Sequence, residues 1–172
     1  MNKNIVIING TGGSGKDTFV SFVSEYTSVV NFSSVDKVKE VARVAGWDGG
    51  KTEKDRKFLS DLKVLTSEYN DMPFRSMADV VDKFSETEAE ILFLHIREPE
   101  NIARAVNEFG AKSLLVKRVG LENIASNYSD ANVDNYDYDY IVENNTLEEL
   151  REQAILFVEK IRSGEHKKKR HI

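Results

Sequence analysis

Residues 4–18 read NIVIINGTGGSGKDT, and the fold is decided in this stretch. Ile5 to Ile8 is an unbroken apolar run between Asn4 and Asn9. A strand without polar alternation is one covered on both faces, as in a parallel sheet. Gly10-Thr11-Gly12-Gly13-Ser14-Gly15-Lys16 follows at once, in the spacing G-x-x-x-x-G-K. Glycines at these positions let the backbone turn tightly and aim several N–H groups inward. The helix that starts near Gly15 points its positive end at the same spot. Lys16 adds a mobile cation able to follow the outer phosphates of a polyphosphate, and Thr18, in the first helical turn, is placed to bond the innermost one. Asp17 stands where a Ser or Thr hydroxyl normally ligates Mg²⁺. A carboxylate beside a polyphosphate is repelled unless a positive charge lies between. Asp17 therefore reads as facing a metal ion, directly or through water, or as taking a proton from an acceptor. The alternative is an acid that simply suits a first helical turn.

Outward from this loop, strand signals recur at 29–32, 90–96, 112–117 and 138–142, the first of these the weakest. Helical stripes fall between them. Phe19, Val20, Phe22, Val23 and Tyr26 make one; Val38, Val41, Ala42 and Ala45 make the next, stopped by Gly46. Thr52 caps a third, with Phe58, Leu59, Leu62, Leu65 and Tyr69 expected on its buried side. Pro73 and Pro99 each open a helix. Thr146 with Glu149 reads as a capping box for the last. Alternating strands and helices mean an α/β fold with a parallel sheet, right-handed crossovers and helices on both faces. Ligands in such sheets sit at the carboxyl ends of the strands, which is where the glycine loop falls.

The chain has 172 residues, 40% hydrophobic and 31% charged, which suits one globular domain. Its net charge of −5 argues against a non-specific nucleic-acid partner. It has no cysteine, so disulfides, thiolate zinc sites and cysteine nucleophiles are excluded. Apolar runs this short fit neither a signal peptide nor a membrane span, and the expected compartment is the cytoplasm. The basic run Lys167 to Arg170 reads as a solvated tail.

The GKDT form of the loop resembles that of deoxynucleoside monophosphate kinases of the bacterial and phage type; animal-type phosphomevalonate kinases share a similar GKD element. Further segments resemble that kinase family in order along the chain. Residues 32–41 (FSSVDKVKEV) are similar to its strand-end element with an Asp and a Lys-Glu. Residues 52–56 (TEKDR) resemble its arginine-before-helix element, 94–100 (LHIREPE) its D-V-R-x-P-x-E segment, and 138–147 (YDYIVENNTL) its final strand and loop. The resemblance implies a P-loop kinase of the nucleoside monophosphate kinase superfamily. The implied fold is a three-layer α/β sandwich with a five-stranded parallel sheet, the P-loop NTPase fold of the nucleotide kinase type. One domain would span 1–172, with an acceptor-binding helical region at about 34–89, a lid at about 118–139 and a flexible basic tail at about 164–172.

The implied reaction moves the γ-phosphate of ATP, with Mg²⁺, to a small-molecule acceptor, a (deoxy)nucleoside monophosphate. Gly10, Thr11, Gly12, Gly13, Ser14, Gly15, Lys16, Asp17 and Thr18 would hold the nucleotide, with Asn144 and Thr146 near its base. Lys16, Asp17 and Arg118 would serve transfer, and Asp17 the metal. Asp36, Lys39, Arg56 and Arg97 would bind the acceptor, with Arg43 and Arg75 in reserve. The chain departs from the family pattern twice. His95 stands in place of the acid that ends the third strand, and 119–140 carries no Arg or Lys but holds Asp130, Asp134, Asp137 and Asp139. Lid chemistry would then fall to Arg118 and Lys117. Two other readings stay open: a kinase for another phosphorylated metabolite or an alcohol, for which Asp17 or Asp36 would supply the base, and a nucleotide-binding regulatory module with little turnover. ATP in preference to GTP follows only from the lack of an N-K-x-D element. The sequence leaves the oligomeric state open.

Overall fold

A computed structural model describes residues 3–120, 132–164 and 170–171. The chain runs β1 (Asn4–Asn9), α1 (Lys16–Ser24), β2 (Val29–Ser33), α2 (Asp36–Val44), α3 (Glu53–Asn70), α4 (Met72–Phe84) and β3 (Ile91–His95). It continues through α5 (Pro99–Phe109), β4 (Lys112–Arg118), β5 (Tyr140–Asn144), α6 (Leu147–Ser163) and β6 (Arg170–His171). The strands form one sheet in the order β2-β3-β1-β4-β5-β6, every pair parallel. This is the expected five-stranded parallel sheet, with a two-residue sixth strand added at its edge. Residues 170–171 of the expected tail thus pair with Tyr140 and Ile141 of β5.

The near-continuous apolar runs are explained by cover on both faces. In β1, Val6 and Ile8 point into one core, packed with Phe19, Val23 and Phe157 of α1 and α6. Ile7, between them, points into the other, with Phe74, Met77 and Ile102 of α4 and α5. Alternate residues of a strand face opposite sides, so both sides must be apolar here. β2, an edge strand, is only half-buried, which is why its sequence signal is the weakest.

Helix ends follow the local chemistry. Thr52 accepts from the Asp55 backbone N–H at 3.2 Å while the Asp55 carboxylate accepts from the Thr52 N–H at 2.9 Å, a complete capping box. The Thr146 cap is half of one. Its hydroxyl accepts from Glu149 N–H, but the Glu149 carboxylate reaches Asn145 N–H instead. Pro73 and Pro99 sit in first turns as expected. One expectation fails: no residue of α3 is buried. The helix lies over α2 and α4, and Phe58, Leu65 and Tyr69 remain 37%, 63% and 84% exposed.

The β2–β3 edge is pinned by Glu90, whose carboxylate accepts two hydrogen bonds from Arg162 at 2.8 Å and one from the Thr27 hydroxyl at 2.6 Å. The Arg162 hydrogen bonds are the main cause that lowers its pKa from 4.5 to about 2. A depressed carboxylate pKa stabilises the fold above the unfolded-state value, and that contribution is lost as pH falls through the folded one. Glu90→Gln is expected to cost about 1–2 kcal/mol at neutral pH. In thermal melts the gap to wild type should close as pH drops from 4.5 towards about 2.

Candidate active site

The glycine loop leaves the carboxyl end of β1 where the chain's crossovers part: α1 leads to β2 on one side, and β4 flanks β1 on the other. In open α/β sheets this divide is the ligand crevice. Gly10 begins the loop at φ +152°, a conformation L side chains rarely adopt. A Cβ there would stand 2.4 Å from the Val116 carbonyl oxygen and 2.6 Å from Ser14 Oγ. Ser14 N–H closes the turn on Thr11 O at 3.2 Å, and Phe19 N–H opens the helical ladder on Gly15 O at 2.8 Å. Ser14 is buried, and its hydroxyl has no hydrogen-bond partner among the described residues. A buried polar atom left unpaired costs stability, so this hydroxyl marks a place built to meet something polar. Lys16 Nζ folds back over the loop and donates to the Gly10 and Thr11 carbonyls at 2.6 and 3.0 Å.

Two buried amides hold the loop from below. Asn144 donates to Ser14 O at 3.3 Å and Lys117 O at 2.7 Å. Asn9 accepts from Gly10 N–H at 2.8 Å and donates to the Arg97 carbonyl at 3.2 Å and to the Tyr138 hydroxyl at 2.8 Å. Tyr138 in turn donates to the Val133 carbonyl at 2.9 Å. Burial pushes its phenol up to about 12, so the hydroxyl keeps its proton for that bond. Asn9 and Tyr138 escaped sequence reasoning. The only trace was a polar residue ending an otherwise apolar strand.

The loop opens into a chamber of ≈ 1130 Å³. Gly12, Gly13, Lys16 and Asp17 form its upper wall. Asp36 and Lys39 of α2, Arg56 and Lys63 of α3, and His95, Arg97 and Glu98 at and beyond the end of β3 form the rest. Lys16, Asp17, Asp36, Lys39, Arg56 and Arg97, six of the residues singled out from sequence, therefore share one cavity. Among the described residues the lining holds six Lys or Arg side chains and four Asp or Glu, in a chain whose net charge is −5. Positive charge is concentrated where the loop opens. Among the described residues, Phe32 is the one phenylalanine, tyrosine or tryptophan on the lining.

Other candidates lie elsewhere. Arg118 ends β4 exposed, level with Asn144 across the β4–β5 pair, and is absent from the chamber lining. Thr18 is half-buried in the first turn of α1. The Thr146 hydroxyl is engaged in its helix cap. Arg43 stacks over Trp47 at 5.4 Å, and Arg75 reaches the Asn70 carbonyl. Of the acids in the expected lid, Asp134 pairs with Lys117 and Asp139 accepts from the Ser113 N–H and hydroxyl at 2.8 and 2.9 Å. Asp130 lies outside the described residues.

His95 Nε2 lies 2.7 Å from Asn31 Oδ1. Burial lowers the imidazole pKa, Asp17 pulls it back up, and Lys16 opposes that pull. The ring is thus neutral at pH 7. An ion pair between Lys63 and Glu98, each under one-fifth exposed, crosses the chamber wall. Burial alone would raise the Glu98 pKa, but the Lys63 charge and hydrogen bonds outweigh it and hold the carboxyl below its ordinary range. Sequence reasoning missed Lys63, Lys57 and Glu53. Their one signal is a polar stripe at 53, 56, 57, 60 and 63, which they share with Arg56.

No protein-family model matches the chain, and no curated protein does. Solved structures do. TT1252 from Thermus thermophilus superposes with a TM-score of 0.52 at 18% identity, covering 94% of this chain and 98% of its own. A protein from Chloroflexus aurantiacus gives 0.52 at 14% identity, covering 95% and 98%. A sugar kinase from Janibacter sp. HTCC2649 gives 0.51 at 14% identity, covering 92% and 95%. At such identities the likeness is one of fold: a parallel α/β sandwich of the P-loop NTPase type, matched over nearly the whole chain. No helix among the described residues is long and apolar enough to cross a membrane.

Proposed function

We propose that the protein is an ATP-dependent phosphotransferase that moves the γ-phosphate to a small phosphorylated acceptor, with (deoxy)nucleoside monophosphates the first acceptors to test. The observation that carries this reading is the shared wall: Lys16 and Asp17 of the loop line the same chamber as Lys39, Arg56 and Arg97. A polyphosphate seated on the loop would present its terminal group to an anionic acceptor held by those cations. Residues 34–89 then act as the acceptor region and 118–139 as the lid, and the enzyme works in the cytoplasm.

The loop fits the nucleotide on its own terms, with glycine backbone that a Cβ would obstruct, an unpaired buried Ser14 hydroxyl and a lysine folded over the carbonyls. Among the described residues no cluster of three or more His, Cys, Asp or Glu could hold a metal. Mg²⁺ would therefore take its oxygens from phosphate, water and Asp17, as this hard cation does beside nucleotides; when bound it neutralises charge on the transferring group. Lys16 follows the outer phosphates once it exchanges the Gly10 and Thr11 carbonyls for them. A phosphate acceptor is already a nucleophile and needs no base. It needs guanidinium forks, which Arg56 and Arg97 offer. His95, neutral and opposite Asp17, keeps added negative charge out of the position where a strand-end acid would stand.

A specific observation also favours an alcohol acceptor as the second reading. A neutral imidazole at 95 and the Asp17 carboxylate both face the chamber, and either could take a hydroxyl proton. ATP consumption against a panel of NMPs, dNMPs, sugar phosphates and simple alcohols separates the two. For the phosphorylated acceptor that turns over, Arg56→Ala and Arg97→Ala are each expected to raise the acceptor KM about 10–100-fold, the worth of a charged hydrogen bond, with the ATP KM unchanged. Turnover of an uncharged alcohol alone, indifferent to both substitutions, would sink the phosphate-acceptor reading. Nucleotide binding without transfer to any acceptor would sink the enzyme.

A further inference from the structure

α3 has two unlike sides. Arg56, Ser60 and Lys63 face the chamber, and Leu59, Leu62 and Thr66 are partly covered. Phe58, Leu65 and Tyr69 fall within about 40° of one another at 3.6 residues per turn, roughly opposite Ser60, and remain 37%, 63% and 84% exposed. An apolar row running three turns along one helix is not the scatter of single exposed residues that any surface carries.

The row 58, 62, 65, 69 has spacings of four, three and four, the seam of a helix that packs knobs into holes with another helix. The spacing reads the same from either end. Turned about a point between residues 63 and 64, position 58 falls on 69 and 62 on 65. The flank beside the row carries Lys54 and Lys57 towards its start and Glu68 near its end, with Asp61 between them paired to Lys57 of the same helix. An antiparallel two-fold pair sets this flank against itself, Lys54 and Lys57 of one copy towards Glu68 of the other, and it opposes the helix dipoles favourably.

We propose that α3 pairs antiparallel with α3 of a second copy of this chain across a two-fold axis, Phe58 against Tyr69 and Leu62 against Leu65. The pairing backs a helix whose other side forms the chamber wall, so association stiffens that wall. One helix pair buries less than the ~800 Å² per partner of a standard interface, and the expected dissociation constant is micromolar.

The chain has no cysteine of its own, so introduced thiols report without background. Light scattering at about 100 µM should give twice the chain mass, and Leu65→Glu should weaken association at least about tenfold with unchanged circular dichroism. Under mild oxidation, Phe58→Cys and Tyr69→Cys chains should each stay largely uncrosslinked alone, because an antiparallel pair holds identical positions about 16 Å apart along the axis. Their equimolar mixture should form disulfide dimers. A wild-type monomer at that concentration overturns the proposal, and also covers the case in which residues 121–131 of the same chain occupy the face. Equal crosslinking of Phe58→Cys alone, the mark of a parallel pair, overturns it too.

Discussion

Lys16→Ala is expected to cut phosphoryl transfer by about 10²–10³-fold while leaving the fold intact, the loss seen when one preorganised charge-stabilising donor is removed. The side chain is only half-buried, and its ammonium donates to the carbonyls of Gly10 and Thr11 at 2.6 and 3.0 Å. Those carbonyls can turn to water when the ammonium is gone, so the melting temperature should move by no more than a few degrees. The catalytic loss is larger because no second loop cation can replace it: the next basic residues on the chamber lining, Lys39, Arg56 and Arg97, come from α2, α3 and the segment after β3. Single-turnover transfer from ATP, read beside a thermal melt, checks both halves. Normal transfer would show that Lys16 takes no part in the step, and a collapsed fold would show that its role is structural.

Gly10→Ala should behave in the opposite way and damage both. At φ +152° an L residue is strained before any contact is counted, and the added methyl would stand 2.4 Å from the Val116 carbonyl oxygen. That carbonyl cannot retreat, because Val116 is pinned between neighbours in β4, which pairs with β1 on one side and β5 on the other. Strain plus overpacking costs about 3 kcal/mol or more, which is about 6–12 °C in melting temperature for a domain of this size. The same methyl would press on Ser14 Oγ at 2.6 Å, so triphosphate affinity should fall with stability. A variant that melts like wild type and binds nucleotide normally would mean the loop is looser than its geometry.

What the sequence made legible and what it did not divide along one physical line. β1 and the loop after it were legible because their signals are local: an apolar run needs two covered faces, and glycines at fixed spacing need a backbone that turns. Thr52 and Pro99 were legible for the same reason. The convergence of Arg56 and Arg97 came only through family resemblance, since nothing local ties residues so far apart. The Lys63–Glu98 pair, 35 positions apart, left no pattern at all. α3 shows the limit most clearly. Periodicity tells which of its side chains share a side, and Phe58, Leu62, Leu65 and Tyr69 do. It does not tell what lies over that side, and the assumption that the core lies there was wrong. Asn144 is a milder case. Its place after the strand expected at 138–142 put it near a nucleotide base in the reading, whereas it ends β5 and its amide hydrogens go to Ser14 and Lys117 carbonyls beneath the loop.

Asn9 sets a boundary for anyone who would recombine this scaffold. Its one amide touches the first loop residue, the exit of the third strand and, through Tyr138, the far limb of the segment that follows β4. Transplanting that segment from another protein of this fold would bring a limb without its phenolic anchor, and transplanting the loop alone would strand the anchor without its amide. The two travel as one cassette, and the natural crossover points for chimeras lie before position 9 and after position 138.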